Sequence, residues 1–305
     1  MWRFSLNLRI VLFGSTGQIG FELAKAMASL GEVIALKKND ANFNDPESLR
    51  DRIQNYQPDI IINAAAYTAV DSAENDYETA QNINTIAPKI LAEEAEVQGS
   101  LLVHYSTDYV FDGQKRGYYK ESDRPNPLSV YGRSKLNGEL AVSNGCRRHL
   151  IFRTSWVFGK HGHNFLKNIL HKATENLSLR VVADQTGAPT SSLLISDVTT
   201  EILKKICHSP PEDHCWGLYH LAASGETNWY DYSKYIIAHA RALGYPLKAS
   251  PKNVEPTTTN EILLPAARPA NSLLDTKKLR ETFGIYLPDW KLGVDRVLEE
   301  IIESK

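Results

Sequence analysis

A short apolar stretch followed at once by a glycine-rich turn constrains the fold of this chain most strongly. Residues 9–13, Arg-Ile-Val-Leu-Phe, have the composition of a buried parallel strand, and Gly14-Ser-Thr-Gly17-Gln-Ile-Gly20 follows directly. The next residues place apolar side chains on one side of a predicted helix. A strand, three glycines at this spacing and a helix bring backbone N–H groups close to a pyrophosphate. The segment therefore predicts a dinucleotide site that includes Gly14, Gly17 and Gly20.

Short apolar strands continue to alternate with helices after this segment. The predicted strands lie at residues 32–36, 59–63, 101–105, 149–153, 180–183 and 217–221. The predicted helices include a long one over 72–98 and others near 194–206, 228–243, 275–283 and 292–302. The alternation predicts an α/β fold, namely a Rossmann-type doubly wound parallel sheet with a smaller, interleaved C-terminal substrate-binding lobe. We assign residues 1–158 to a dinucleotide-binding domain, with returning elements near 194–221, and residues 159–305 mainly to the substrate-binding lobe.

The composition narrows the class of protein and its surroundings. The 305 residues carry a net charge of −2 and are 42% hydrophobic, which fits a large core and gives no electrostatic footprint for nucleic acid. No apolar run approaches the roughly 20 residues of a membrane span, and the N-terminal residues do not resemble a signal peptide. Three scattered cysteines argue against a disulfide framework. We therefore expect a cytoplasmic protein that binds neither nucleic acid nor membrane.

A tyrosine and a lysine four residues apart, Tyr131 and Lys135, are the strongest catalytic candidates. This spacing places both side chains on one face of a helix, one turn apart. A nearby ammonium favours the phenolate, so we expect Lys135 to draw the pKa of Tyr131 from about 10 toward neutrality, which suits carbonyl chemistry. The same spacing recurs at Tyr230 and Lys234, but only Tyr131 follows a strand that ends in Ser-Thr-Asp. In that strand end, the hydroxyl of Thr107 can hold the oxygen that is reduced.

The residues after the second strand bear on which nicotinamide cofactor binds. An acid there suits the 2′-hydroxyl of NAD, whereas a base suits the 2′-phosphate of NADP. Lys37 and Lys38 occupy this place, so we expect NADPH, while Asp40 nearby keeps NADH possible.

Seven segments together give the chain a family resemblance. They are Gly-Ser-Thr-Gly-Gln-Ile-Gly, Asn-Ala-Ala-Ala-Tyr-Thr-Ala-Val-Asp, His-Tyr-Ser-Thr-Asp-Tyr-Val-Phe, Tyr-Gly-Arg-Ser-Lys, Phe-Arg-Thr-Ser-Trp, Asp-Gln-Thr-Gly-Ala-Pro-Thr and Arg-Pro-Ala-Asn-Ser. Through them the chain resembles the dTDP-4-dehydrorhamnose reductases, a group within the extended short-chain dehydrogenase/reductases. The resemblance implies NADPH-dependent reduction of the C4 ketone of dTDP-4-dehydro-L-rhamnose to dTDP-L-rhamnose. That sugar nucleotide is used for bacterial surface polysaccharide, including the O-antigen of lipopolysaccharide.

The resemblance also implies roles for individual residues. Tyr131 would donate the proton, Lys135 would be its partner and ribose anchor, and Thr107 would lie beside the ketone. The implied cofactor contacts are Gly17, Gln18 and Ile19 under the pyrophosphate, Lys37, Asn42 and Phe43 at the adenosine, and Ala66, Tyr67 and Thr68 beside the nicotinamide. The implied sugar contacts are Asp108 and Trp156. For the diphosphate, Arg268 is our candidate because a guanidinium can bind it through two parallel hydrogen bonds, and Asn164 and Asn271 are further candidates.

A metal site is doubtful. Some family members hold Mg²⁺ at a dimer interface through glutamates, and Glu22 and Glu300 fall at two of those places. The third place falls at Leu193, and losing an oxygen ligand weakens a Mg²⁺ site. We therefore predict no metal and leave a monomer and a homodimer both open.

Two other functions remain as alternatives. One is a reductase of a related dTDP-ketosugar, such as the precursor of dTDP-dihydrostreptose. The other is a non-catalytic, NADP-binding regulatory subunit with the same fold. Dehydration is disfavoured because the dehydratases need an extra acid right after the Thr-Asp pair, where this chain has Tyr109.

Overall fold

The structure is a computed structural model that describes residues 8–208 and 215–303. Its strands are β1 (Leu8–Phe13), β2 (Gly31–Leu36), β3 (Ile60–Asn63), β4 (Leu101–Thr107), β5 (His149–Thr154), β6 (Val157–Phe158), β7 (Leu179–Val182), β8 (Thr186–Gly187), β9 (Thr190–Ser191), β10 (Gly217–His220), β11 (Thr227–Asn228) and β12 (Val254–Thr257). Its helices are α1 (Gln18–Ala26), α2 (Glu47–Tyr56), α3 (Val70–Ala73), α4 (Tyr77–Gln81), α5 (Ala87–Gln98), α6 (Val130–Gly145), α7 (Phe165–Glu175), α8 (Ser192–His208), α9 (Trp229–Ala242), α10 (Lys277–Phe283) and α11 (Trp290–Glu303).

The largest sheet among the described residues has six parallel strands in the order β10-β5-β4-β3-β1-β2. The chain runs from β1 to β2 on one side and then crosses back over β1 to β3. The strand order therefore reverses between β1 and β3, and ligands of open α/β sheets bind beside the carboxyl ends of the strands at such a reversal. The glycine turn follows β1 directly, and the alanines predicted to flank the nicotinamide follow β3.

Helices cover both faces of this sheet. On one face, Ile10 of β1 packs in a cluster with Leu23 of α1 and Ile202 of α8. On the other face, Val11 packs with Leu49 of α2 and residues of α5 and α6. Alternate residues of one strand thus enter two different cores, as expected for a parallel sheet buried on both sides. The predicted Rossmann-type, doubly wound sheet is confirmed, and we call it, with the helices packed on it, the first lobe.

A second core lies among the later elements. It joins β6, α7, β7, α9, β12 and α11, and its largest fully buried members are Phe158 and Tyr232. We call these elements the second lobe. The chain passes between the two lobes more than once, because β10 pairs with β5 in the first sheet after α7 and β7 have entered the second core.

The predicted long helix over residues 72–98 is wrong in its continuity. The interruption lies at residues 74–76, between α3 and α4, and the chain is helical from Tyr77 to Gln98 through α4, the π-helical segment Asn82–Ile86 and α5. Pro88 lacks the N–H that would bond to the carbonyl of Asn84, and such a break in the ladder permits a π turn. The Asn84 side chain is fully buried there and binds neighbouring segments instead.

One smaller feature also differs from expectation. The strand β12 was not predicted, since Glu255 and Pro256 hide its short apolar pattern, yet it pairs in parallel with β7. The helix α2 begins at Glu47, directly after Pro46, which is its N-cap. Within residues 8–208 and 215–303, no helix has both the length and the hydropathy needed to cross a bilayer.

Candidate active site

The helix α6 presents Tyr131 and Lys135 to the carboxyl end of β4. Ser129 caps the helix by accepting a hydrogen bond from the backbone N–H of Gly132 at 3.1 Å. A Cβ on Gly132 would lie 2.2 Å from the carbonyl oxygen of Tyr109, so glycine lets the first turn press against the segment after β4. Tyr131 is 9% exposed and Lys135 is 2% exposed, so both polar groups lie under the surface.

Thr107, the last residue of β4, meets Tyr131 at this point. Its hydroxyl donates to Oδ1 of Asp108 at 3.1 Å and accepts from the N–H of Tyr109 at 3.2 Å. Burial raises the pKa of Tyr131 to about 12, the charge of Asp108 also raises it, and hydrogen bonding with the Thr107 side chain lowers it. The phenol is therefore protonated at neutral pH.

This result departs from the expectation that Lys135 draws the pKa of Tyr131 toward neutrality. The Nζ of Lys135 donates to the backbone carbonyl of Tyr105 at 2.7 Å. Burial also lowers the pKa of Lys135 to about 8, although the charge of Glu139 raises it. Desolvation therefore acts on both side chains in favour of their neutral forms, and it outweighs the expected attraction.

Asp108 is buried beside Thr107 with part of its carboxylate unpaired. Its Oδ2 atom is buried and has no hydrogen-bond partner among the described residues. Burial raises the pKa of Asp108 to about 6, and hydrogen bonds from Ser272 and Thr107 oppose this. A buried, unsatisfied carboxylate oxygen is costly, and a sugar hydroxyl would satisfy it.

The glycine turn fits a dinucleotide pyrophosphate. Gly14 has φ +79°, and a Cβ there would lie 2.6 Å from the backbone nitrogen of Ala65 after β3. Gly17 is the N-cap of α1 and provides no side-chain cap, so backbone N–H groups of the first turn remain for an anion. A Cβ on Gly20 would lie 2.1 Å from the oxygen of Gly14, so Gly20 serves packing. Of the other two predicted residues, Ile19 packs against the first core and Gln18 faces the second lobe.

The predicted adenosine contacts lie after β2. Lys37 is exposed, and its backbone N–H donates to Oδ2 of Asp40 at 3.0 Å. Asn42 is exposed too, and its side chain accepts from the N–H of Asn44 at 3.1 Å. The ring of Phe43 is buried edge-on against Phe13, so its side chain belongs to the core.

The segment predicted to flank the nicotinamide is held by a residue that the sequence did not single out. Tyr67 donates its N–H to Oδ1 of Asn84 at 2.9 Å, and the Asn84 amide donates back to the Tyr67 carbonyl at 3.1 Å. Asn84 also donates to the hydroxyl of Ser134 on α6 at 3.0 Å. The half-buried Ala66 and the exposed Thr68 adjoin Tyr67 and so share its fixed position relative to Tyr131.

Trp156 follows β5 and packs against the core of the second lobe. It has φ +49°, which is unusual for a bulky residue, and strain of this kind concentrates at functional sites. Its ring stacks on Trp229 of α9 with centroids 3.5 Å apart, and the indole N–H of Trp229 donates to Gln185 at 3.0 Å. A Cβ on Gly187 would lie 2.5 Å from the Trp156 ring.

Arg268 reaches the first lobe and forms a fork with Asp71. Its Nη1 and Nη2 atoms donate to the two Asp71 oxygens at 2.9 and 2.7 Å, and Nη1 also donates to the carbonyl of Ala266. The guanidinium lowers the pKa of Asp71 below its usual range. The predicted diphosphate contact stays a prediction, and it requires Arg268 to share or release Asp71.

The two asparagines predicted near the diphosphate are bound to protein groups. Asn164 caps α7 and donates to the carbonyl of Gly159 at 2.7 Å and to Oε1 of Gln18 at 2.9 Å. It thereby links the second lobe to the glycine turn. Asn271 donates to the carbonyls of Lys115 and Gly117, so both of its amide hydrogens hold a loop. Their contacts with a ligand remain predictions.

Comparison with known proteins identifies the family of this fold and site. A family model described as the RmlD substrate binding domain matches residues 8–303. The chain belongs to the RmlD family. It is similar to dTDP-4-dehydrorhamnose reductase of Escherichia coli strain K12, with 44% identity over 301 residues that cover 97% of this chain and 99% of the relative. The reductase of Burkholderia thailandensis is 40% identical over 298 residues, which cover 97% of this chain and 100% of the relative.

A similar solved structure contains a bound nicotinamide cofactor. The crystal structure of Bacillus anthracis dTDP-4-dehydrorhamnose reductase in complex with NADP is 32% identical to this chain. It superposes with a TM-score of 0.86 and covers 96% of this chain and 99% of that chain. The glycine turn of this RmlD-family chain thus sits in a fold that holds NADP in a relative.

One of the positions considered for a metal, Glu300, is in an ion pair. Among residues 8–208 and 215–303, no group of three or more histidines, cysteines, aspartates or glutamates could hold an ion. Glu300 is paired instead with Arg296 at 3.6 Å on α11.

Several site residues escaped the sequence reasoning. They are Asp71, Asn84 and Trp229, together with Glu139 and Arg153, which form a buried ion pair. No local signal pointed to Asn84, which lies in the polar stretch Gln81-Asn-Ile-Asn-Thr85, whereas the spacing of four from Lys135 was the available signal for Glu139. No local signal pointed to Asp71, because its partner Arg268 lies 197 residues away.

Proposed function

We propose that this protein reduces the C4 ketone of dTDP-4-dehydro-L-rhamnose with NADPH and so forms dTDP-L-rhamnose. The observation that carries the proposal is the meeting of Thr107 and the protonated Tyr131 at the carboxyl end of β4, beside a glycine turn that fits a pyrophosphate. Two findings support this choice of substrate, namely membership of the RmlD family and similarity to proteins named dTDP-4-dehydrorhamnose reductase. The likeness to a structure in complex with NADP supports the cofactor.

The side chains divide the chemistry between them. NADPH, when bound, supplies the hydride that reaches C4. Tyr131 gives its phenolic proton to the C4 oxygen as charge develops there, and Thr107 holds that oxygen through its hydroxyl. The Lys135 ammonium stabilises the phenolate that remains on Tyr131. Because both residues are buried, water is kept from the reacting atoms and these charges act strongly.

The substrate contacts follow from the second lobe and the end of β4. We assign the sugar to Asp108 and Trp156, since Asp108 offers an unsatisfied oxygen and the ring of Trp156 is held by Trp229. We assign the diphosphate to Arg268, which would exchange part of its contact with Asp71 for the ligand.

We further propose that the protein works in the cytoplasm, as a monomer or homodimer, in the synthesis of surface polysaccharide such as the O-antigen. The division into a dinucleotide-binding domain (1–158) and a mainly substrate-binding lobe (159–305) belongs to the same proposal. It is supported by the glycine turn in the first part and the tryptophan stack in the second.

The test is NADPH consumption by the purified chain, with the ketosugar made in place from dTDP-glucose by a dehydratase and an epimerase. Tyr131→Phe should lower kcat by at least about a hundredfold, the scale of general acid catalysis. Tyr230→Phe is the matched control, because Tyr230 has the same spacing to a lysine but contacts Lys234 through its ring face, at 4.8 Å. Binding of NADPH without reduction of this sugar would point to a related ketosugar or to a regulatory subunit.

A further inference from the structure

A buried ion pair lies directly behind the catalytic residues. Arg153 donates through Nε to Oε1 of Glu139 at 2.9 Å and through Nη2 to Oε2 at 2.6 Å. The hydroxyl of Ser106 also donates to Oε1 of Glu139, at 2.5 Å. The three residues are 2%, 4% and 5% exposed, in the order Arg153, Glu139 and Ser106. A buried pair of this kind is stable only when its geometry and additional hydrogen bonds offset the cost of desolvation.

The position of each member ties the pair to the reaction. Glu139 follows Lys135 by four residues on α6, so the two side chains share a face of the helix. Ser106 immediately precedes Thr107 on β4, and its register partner on β5 is Arg153. The network therefore fixes the helix that carries Lys135 against the strand that carries Thr107.

The two charges of the ion pair act on different neighbouring side chains. The charge of Glu139 acts on Lys135 and raises its pKa against the effect of burial. The charge of Arg153 acts on the far side, where it joins burial in lowering the pKa of His220 to about 3. The negative end of the ion pair thus acts on the catalytic lysine, and the positive end acts on His220.

Other titratable groups near Lys135 do not replace this carboxylate. His104 of β4 is fully buried, and burial, together with the Lys135 charge, lowers its pKa well below 6.5 and keeps it neutral. Tyr105, whose carbonyl accepts from Lys135, donates its own hydroxyl toward Thr199 or accepts from it at 2.8 Å. Burial raises the pKa of Tyr105 and of Tyr131, so both are neutral near pH 7.

We propose that Glu139, held by Arg153 and Ser106, is a positioning residue that keeps the Lys135 ammonium charged and aligned for the reaction. The proposal rests on the proposed function for its meaning in catalysis, but the electrostatic relation between Glu139 and Lys135 can be measured without turnover. Glu139 itself touches neither substrate nor cofactor in this assignment. Its effect reaches the reaction through Lys135.

The main test is Glu139→Gln, which keeps the size of the side chain and removes its charge. Without the carboxylate, the charged form of Lys135 is less favoured, so its pKa falls. The alkaline limb of the kcat profile should then move to lower pH by about one unit, the shift expected from one nearby charge. The side-chain ¹⁵N signal of Lys135, assigned by its loss in Lys135→Arg, should titrate at correspondingly lower pH.

A second buried glutamate provides the matched control. Glu94 on α5 is 4% exposed and accepts from Arg50 at 2.8 Å and from Gln54 at 3.1 Å. Glu94→Gln therefore weakens an ion pair of a buried glutamate in the same lobe, with the partly exposed Arg50 still paired to Glu47 and Glu93, and does not change the charge next to Lys135. It should lower the melting temperature and leave both the pH limb and the Lys135 signal where they are in the parent.

A further variant keeps the test decisive if Glu139→Gln does not fold. The double variant Glu139→Gln with Arg153→Met leaves no unpaired buried charge, because both members of the pair become neutral. The pKa of Lys135 should still fall in this double variant, because the Glu139 carboxylate is absent.

The outcomes separate the two proposals. An unchanged titration of Lys135 in both Glu139 variants would overturn the positioning role, whatever their activity. An equal shift in Glu94→Gln would also overturn it, because the effect would then come from general loosening. If the parent reduces no ketosugar but the Lys135 signal still shifts, the proposed function fails while the relation between Glu139 and Lys135 stands.

Discussion

The glycine turn and Thr107 lie directly at strand ends of the first lobe, whereas Trp156 and Arg268 are held by contacts with segments that are distant in the chain. Gly14 and Thr107 occupy the ends of β1 and β4, where a parallel sheet delivers ligand-binding groups. Trp156 depends on Trp229, and Arg268 depends on Asp71, across long stretches of chain. We therefore expect substitutions in the first lobe to affect the cofactor and the chemistry, and those in the second lobe to affect the sugar nucleotide.

The largest expected effect tests the first lobe through its glycine turn. Gly14→Ala places a Cβ 2.6 Å from backbone nitrogen at a φ of +79°. We expect NADPH affinity to fall by at least about a hundredfold, because the backbone around the pyrophosphate must shift. Calorimetric titration with NADPH measures this.

Gly117→Ala is the control for Gly14→Ala. Gly117 has the same φ of +79°, but a Cβ there meets nothing within 4 Å. Its replacement should cost about 1 kcal/mol of unfolding free energy from backbone strain alone and leave NADPH affinity unchanged. Equal NADPH affinities in the two variants would show that the close approach at Gly14 has no role in the cofactor site.

The next effect concerns the tryptophan stack of the second lobe. Trp229→Ala removes the ring that packs on Trp156 at 3.5 Å, so Trp156 can leave its unusual backbone conformation. The KM for the sugar nucleotide should rise about 10- to 30-fold, the scale of one aromatic contact with its area burial. Trp229→Phe, which retains a stacked ring, should recover most of this loss. A rise in the Kd of NADPH of similar size would contradict the division between the lobes.

A smaller effect distinguishes two roles for Arg268. If the guanidinium binds the diphosphate through two hydrogen bonds, Arg268→Lys should raise the KM about tenfold, because lysine cannot reproduce the fork. Asp71→Asn should leave the KM equal or lower, since it releases Arg268 from a carboxylate held at 2.7 Å. Steady-state kinetics with both variants measures this. Parallel increases in KM would instead assign the pair to holding the loop before residue 268.

The smallest effect concerns the choice of cofactor. Lys37 is exposed after β2, so its attraction for a 2′-phosphate acts through water and amounts to about 1 kcal/mol. Lys37→Ala should reduce the preference for NADPH over NADH about fivefold, as judged from the ratio of kcat/KM values. Lys38→Ala is the matched control, because Lys38 is an exposed lysine one position later. An equal loss of NADPH preference in both variants would indicate that positive charge near the site acts in general, rather than through a specific contact of Lys37.

Local patterns were enough to predict the sheet, the glycine turn and the helix with Tyr131 and Lys135, because those features depend on neighbouring residues. The direction of the pKa shift of Tyr131 was not predictable in this way, since it depends on how deeply the tertiary structure buries the phenol. Pairing partners such as Trp156 with Trp229 also lay beyond local reasoning. Their spacing in the chain carries no periodicity, and only the packed second core brings them together.

The strand β10 is synthesised long after β5, the strand with which it pairs, and this order affects how the sheet forms. As the chain leaves the ribosome, β5 emerges with one edge unpaired and stays so until residues 217–220 follow. By then α7 and β7 of the second lobe have already been made. An open strand edge can pair with other chains, so the nascent protein is exposed to aggregation during this interval. The chain order that places second-lobe elements between β5 and β10 therefore also delays completion of the first-lobe sheet during synthesis.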